Sequence, residues 1–194
     1  MLKELIKRLQ DRTTLPIELD DITEILVELG YTDEVRFYPV KADPFRIRGA
    51  FYQYHYRPGV YADPVKVTLI PYNANDPLDL QRVVCCKELM HLFDTDLEKT
   101  DKQEEVPDFI EKVLGPLSTD DYGVADFMAA KDKIAIYQCL PLLLPYAALC
   151  QAREAVTSGQ KTIEEVAAWA YIPKDLVSFM LDKEWDTLNG VLYR

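Results

Sequence analysis

The chain has 194 residues, 48% of them hydrophobic, and 22 Lys and Arg against 33 Asp and Glu, a formal net charge of −11. That is enough apolar material for one domain core, with or without a small helical appendage, and it excludes long disorder and low-complexity repeats. So acidic a chain repels phosphate backbones on average, which excludes general nucleic-acid binding unless a basic patch acts locally.

The opening stretch MLKELIKRLQDR is charged and amphipathic, without the apolar run and small-residue cleavage site of an export signal. Cys85, Cys86, Cys139 and Cys150 show no CxxC spacing. Together these features predict a cytoplasmic protein with reduced, buried thiols. The longest apolar run, Cys139 to Cys150, has 12 residues and two prolines. A membrane-spanning helix needs ~20, so this run predicts a core helix.

In chain order, residues 1–34 predict a helical segment. A short helix over 1–12 carries Lys3, Lys7, Arg8 and Arg12 on one side. A second is capped by Asp20 or Asp21, has Ile22, Ile25, Leu26 and Leu29 at helical spacing, and stops at Gly30. Seven acids and no base between 16 and 34 give it a solvated negative face.

From 35 to 72 the pattern turns to strands: VRFYPV, FRIRGAFYQYHY and VKVTLIPY, the last two joined by the turn-rich RPGVYADP. These predict a three-stranded antiparallel meander. The region holds six bases (Arg36, Lys41, Arg46, Arg48, Arg57, Lys66) against two acids (Asp43, Asp63), the one basic stretch of an acidic chain. Alternation puts Tyr52, Tyr54 and Tyr56 on one face, with Phe51, Gln53 and His55 on the other.

Asp76 and Pro77 open a helix through QRVVCCKELMHLFD, as capping residue and first helical position. An acidic segment follows, residues 94–121, with ten acids against three bases and a short helix around Phe109 to Leu114. Next come a long helix from Val124 to Leu140, broken by Pro141 and Pro145, and another from Tyr146 to Val156. A Thr162/Glu165 capping box starts a final pair, Ile163 to Ala170 and Pro173 to Leu181. The predicted divisions are a helical segment 1–34, a core 35–157 and a helix pair 158–194.

The chemistry concentrates on the helix after Asp76. On a helical projection Lys87, Glu88, His91 and Asp94 share a sector of about 120°. Val83, Cys85, Cys86, Leu89, Leu92 and Phe93 occupy the rest. A helix apolar on nearly all sides is buried, and its polar quartet faces a cleft or an internal network. Cys85 and Cys86 project away from His91 and belong to the core. His55, the other histidine, is expected to pack within its strand.

These residues carry a resemblance. VKVTLIPY, the polar loop and QRVVCCKELMHLFD resemble the strand-loop-helix unit of the ImmA/IrrE metallopeptidases. Those proteins have a zincin-like fold whose helix bears His-Glu-x-x-His, two zinc-ligating histidines flanking a general base. In the aligned positions Lys87-Glu88-Leu89-Met90-His91, Glu88 matches the base, His91 the second ligand, and Lys87 replaces the first histidine. Downstream, IAIYQCLPLLLP resembles the family's apolar helix; Ile134 aligns with the acidic third ligand, with Asp132 as the other register. Ala167, Ala170, Ile172, Val177 and Leu181 resemble its helix-turn-helix-like tail. The likeness spans roughly residues 45–185.

A protonated Lys87 has no lone pair to give zinc. Its ammonium can instead stand in for the cation, paired with Glu88, Asp94 or both. The expected fold is α+β and zincin-like, a small antiparallel sheet packed on a buried helix with a mostly helical C-terminal half. The resemblance implies a catalytically degenerate protein that works by protein–protein interaction without a cofactor, in a regulatory or mobile-element setting. Its partner-binding strand carries Arg48, Tyr52, Tyr54 and Tyr56, where fold analogy suggests backbone augmentation. The alternative is an active zinc peptidase with rearranged ligands, Glu88 as base and His91 among the ligands. A DNA-binding regulator ranks third, because Lys174 and Lys183 are offset by Asp175, Asp182, Glu184 and Asp186.

Overall fold

A computed structural model describes residues 1–41, 48–94 and 124–192. The helix expected around Phe109 to Leu114 lies outside the described residues. The strand richest in branched and apolar residues, β3 (Val65–Asn73), takes the centre of a three-stranded sheet between β1 (Glu34–Val40) and β2 (Tyr52–Tyr56). Strands β2 and β3 form the expected antiparallel pair, with Tyr54 opposite Val67. β1 runs parallel to β3, with Glu34 opposite Val67. The sheet is therefore mixed, which corrects the fully antiparallel meander. Burial accounts for the strand order: Val67, Thr68 and Ile70 are fully inaccessible, and such a strand belongs between two neighbours.

Eight α-helices complete the described fold: α1 (Leu2–Leu9), α2 (Leu19–Glu28), α3 (Leu78–Met90), α4 (Val124–Leu143), α5 (Tyr146–Thr157), α6 (Ile163–Ala170), α7 (Lys174–Leu181) and α8 (Lys183–Leu192). The class is α+β, with a mostly helical second half.

Several helix ends follow their sequence signals and others do not. Thr162 and Glu165 form the predicted capping box. α2 is opened by Glu18, with Asp21 completing the box, rather than by Asp20 or Asp21 themselves. Gly30, at φ +94°, ends it: its N–H bonds Val27 O and the Tyr31 N–H bonds Leu26 O, a double closure that favours glycine. Asp76 gives α3 no side-chain cap; Pro77 precedes the first helical residue. Pro141 does not break α4. It sits two residues before the helix ends at Leu143, so the one backbone bond that its missing N–H costs leaves the preceding turns intact. The chain instead turns by 81° between α4 and α5. Among the described residues no single helix is long and apolar enough to cross a membrane.

One contiguous core joins Leu5 and Leu26, Leu89 of α3, Leu140 of α4, and Val177 and Trp185 near the carboxyl end. It runs through all three segments marked out in the sequence. Arg82 of α3 reinforces this. Its guanidinium donates to the carbonyls of Ile17 (2.5 Å), Ala170 (3.0 Å) and Tyr171 (2.8 Å) and lies 5.4 Å from the Tyr171 ring centroid. A cation at the carboxyl end of α6 also complements that helix's dipole. All four cysteines are free; Cys85, Cys86 and Cys139 are buried, whereas Cys150 is exposed, against expectation. On α5 the inward face is Ala148, Leu149 and Ala152, and Cys150 points out.

Candidate functional site

α3 lies between β3 and α4, so the polar side of an otherwise apolar helix is enclosed. Glu88 is 3% exposed. The Lys87 Nζ lies 2.7 Å from Glu88 Oε1 and 2.5 Å from Asp132 Oδ1 of α4. Glu88 Oε1 has this ammonium beside it but no donor aligned for a hydrogen bond, so the contact is an ion pair. Lys87 is thus ion-paired with Glu88, and its second partner is Asp132 in place of Asp94.

Asp94 serves His91. The helix proper ends at Met90, and a 3-10 turn over His91–Phe93 brings His91 Nδ1 to 2.7 Å from Asp94 Oδ2. His91 Nε2 faces the rest of the cluster, 3.7 Å from Glu88 Oε2 and 3.6 Å from Asp132 Oδ1. Phe51 closes one side, its ring centroid 6.0 Å from that of His91. The backbone at Gly49 runs directly over α3: a Cβ there would lie 3.0 Å from Glu88 Oε1 and press on Val84. Glycine permits that approach.

The ionisation states follow from this enclosure. Burial alone would lower the Lys87 pKa, but the carboxylates of Glu88 and Asp132 outweigh it and push it up. Burial would likewise lower His91, yet Asp132 and Asp94 raise it to about 9, so the imidazole is cationic at neutral pH. Desolvation would raise Asp132, but His91 and Lys87 hold it below the ordinary carboxylate value. Two cations therefore face three carboxyl groups, with no charge left to face apolar surroundings alone.

Such a site does not fit resident zinc. The ammonium holds the space between two of the remaining oxygen donors and brings no lone pair. Among the described residues no three His, Cys, Asp or Glu side chains are grouped to hold a metal ion.

Of the two registers for a third ligand, the structure brings Asp132 into the cluster and leaves Ile134 38% exposed. A signal for this was available. Asp132, Ala135, Cys139 and Leu142 recur at helical spacing, so Asp132 is an acid on the buried stripe of α4. Gly49 and Arg82 were not singled out; a glycine crossing a helix carries no local sequence mark.

His55 stays apart from the cluster and is exposed on the edge strand, which corrects its expected packing. The tyrosine alternation appears as predicted: the Tyr52 and Tyr54 rings are 6.1 Å apart, and the Arg36 guanidinium lies 5.6 Å from the Tyr56 ring centroid. On the other face, Gln53 donates to Thr68 Oγ1 at 3.1 Å. Arg48 is exposed at the entry to β2. The α7 surface offers Lys174, Asp175 and Ser178, and Lys174 is already paired with Glu164 at 2.5 Å. Comparisons of the chain with protein-family models, curated proteins and solved structures found no match.

Proposed function

We propose that this chain is a catalytically degenerate, zincin-like protein related to the ImmA/IrrE peptidases, and that it acts by binding another protein. One observation carries the proposal: on the helix positions that resemble the peptidases' metal-binding motif, the Lys87 ammonium is ion-paired with the Glu88 and Asp132 carboxylates. An internal cation offsets the repulsion of those carboxylates and leaves Glu88 no metal-bound water to activate. His91, held by Asp94, is a third charged wall rather than a free base. What remains for function is surface, and β2 with Arg48, Tyr52, Tyr54 and Tyr56 is the proposed partner-binding strand. Among the described residues it is an edge strand, which leaves its outward backbone groups to a partner.

Zinc titration by calorimetry, on the natural chain and on Lys87→His, tests this. The proposal expects no heat from the natural chain and a saturable site in Lys87→His, where two imidazoles and Asp132 could converge. Saturable zinc binding by the natural chain, lost in His91→Ala, would favour a peptidase with rearranged ligands. Absence of binding in both would leave the zincin reading resting on sequence pattern alone, with the buried ion cluster as it is.

A further inference from the structure

We infer that the outer face of the sheet docks an acidic protein segment, an inference that rests on the binding role proposed above. Register defines the face. Phe51 contacts His91 and Ile70 joins the core, so the opposite side chains of β2, Tyr52, Tyr54 and Tyr56, point away from α3. The pairing continues back through Arg48, whose carbonyl accepts from the Asn73 N–H, which puts Arg48 on the same outer side. Across the sheet, parallel pairing sets Arg36 opposite Leu69 and Tyr38 opposite Pro71. Arg36 and Tyr38, which were not among the residues expected to bind a partner, thereby join the three tyrosines of β2.

The composition of this face is that of a protein interface. Tyrosine and arginine dominate binding hot spots, and tyrosine gives large contact area at low rotamer cost. Tyr38 is 58% exposed and Tyr52 60%. Arg36 is held over Tyr56 and braced by Glu34 at 2.7 Å, so its guanidinium is preorganised. Arg48 is exposed, and Lys41 and Arg57 extend the positive charge beyond the strand ends. In a chain of net charge −11 this local excess of cations selects an acidic ligand. A short acidic segment stays within about 10 Å, one Debye length, of these arginines. A long polyanion would also meet the net negative charge of the rest of the chain.

Fluorescence anisotropy tests the inference with three labelled probes on the full chain: a decapeptide of alternating Glu and Val, its twin with Lys for Glu, and a ten-nucleotide oligothymidylate. The Glu peptide should bind best. Arg48→Glu should weaken it about tenfold and Tyr52→Ala about fivefold, whereas Lys174→Glu on α7 should leave it unchanged. Both substituted positions are exposed, so circular dichroism should match the natural chain. Equal or stronger binding of the Lys peptide, preference for the oligothymidylate, no measurable binding, or indifference to Arg48→Glu would each overturn the inference. The mass of the recovered Glu peptide separates the two claims. An intact peptide is expected; cleavage abolished by Glu88→Gln would overturn the degenerate-enzyme proposal while leaving the docking face in place.

Discussion

The ammonium of Lys87 on α3 lies 2.5 Å from Asp132 Oδ1 on α4, an ion pair between residues 45 positions apart that joins the two helices. The same nitrogen contacts Glu88 at 2.7 Å, so one lysine compensates two enclosed carboxylates.

Removing the cation strands the anions. Lys87→Met should destabilise the fold by about 3–5 kcal/mol, measured by urea unfolding, because uncompensated buried charge is costly. Adding Glu88→Gln and Asp132→Asn to Lys87→Met should recover most of that loss. A Lys87→Met change within about 0.5 kcal/mol of the natural chain would show that the cluster is hydrated and contributes little.

The His91 pKa makes stability depend on pH in a defined direction. Its value in the folded chain, about 9, lies above the ordinary 6.5, so folding favours the protonated ring. The contribution is complete below about pH 6.5 and is lost as pH rises through about 9, a change of about 3 kcal/mol. Urea midpoints should fall across that window, and His91→Gln should flatten the fall. An equally steep fall in the variant would assign the dependence to another group.

Gly49→Ala should cost about 1–3 kcal/mol, since the added methyl meets Val84 and Glu88. Thermal unfolding would show it, with the shift absent in Gly59→Ala, where a Cβ has only Ala62 at 4.0 Å.

Arg82→Met should loosen the carboxyl-terminal helices before it unfolds the chain. Three backbone carbonyls lose their donor, two of them at the end of α6. Hydrogen exchange should report reduced protection in α6 and α7 relative to α4. A uniform loss over all helices would mean that Arg82 stabilises the whole core equally.

Much of the fold was legible because its signals are local. Thr162 with Glu165 and Gly30 mark helix ends through contacts within a few residues, and they appear in the structure as predicted. The site helix was legible as well: Lys87, Glu88 and His91 share one side, and the apolar remainder required burial. What escaped was long-range. Nothing near Glu34–Val40 specifies that it pairs parallel to β3, because its partners lie some thirty residues away in the chain. The second partner of Lys87 escaped for the same reason. Asp94 was near in sequence, whereas Asp132 reaches the cluster only because α4 packs on α3. Arg82 shows the limit most clearly, since its acceptors are carbonyls of residues 17, 170 and 171, which no side-chain pattern encodes.

Metal analysis by mass spectrometry, on tag-free protein purified without chelator, tests the central claim most directly. With Lys87 as the resident cation, zinc and other transition metals should stay far below one equivalent per chain. Near-stoichiometric zinc that disappears in His91→Ala would contradict the account and return Glu88 to the role of general base.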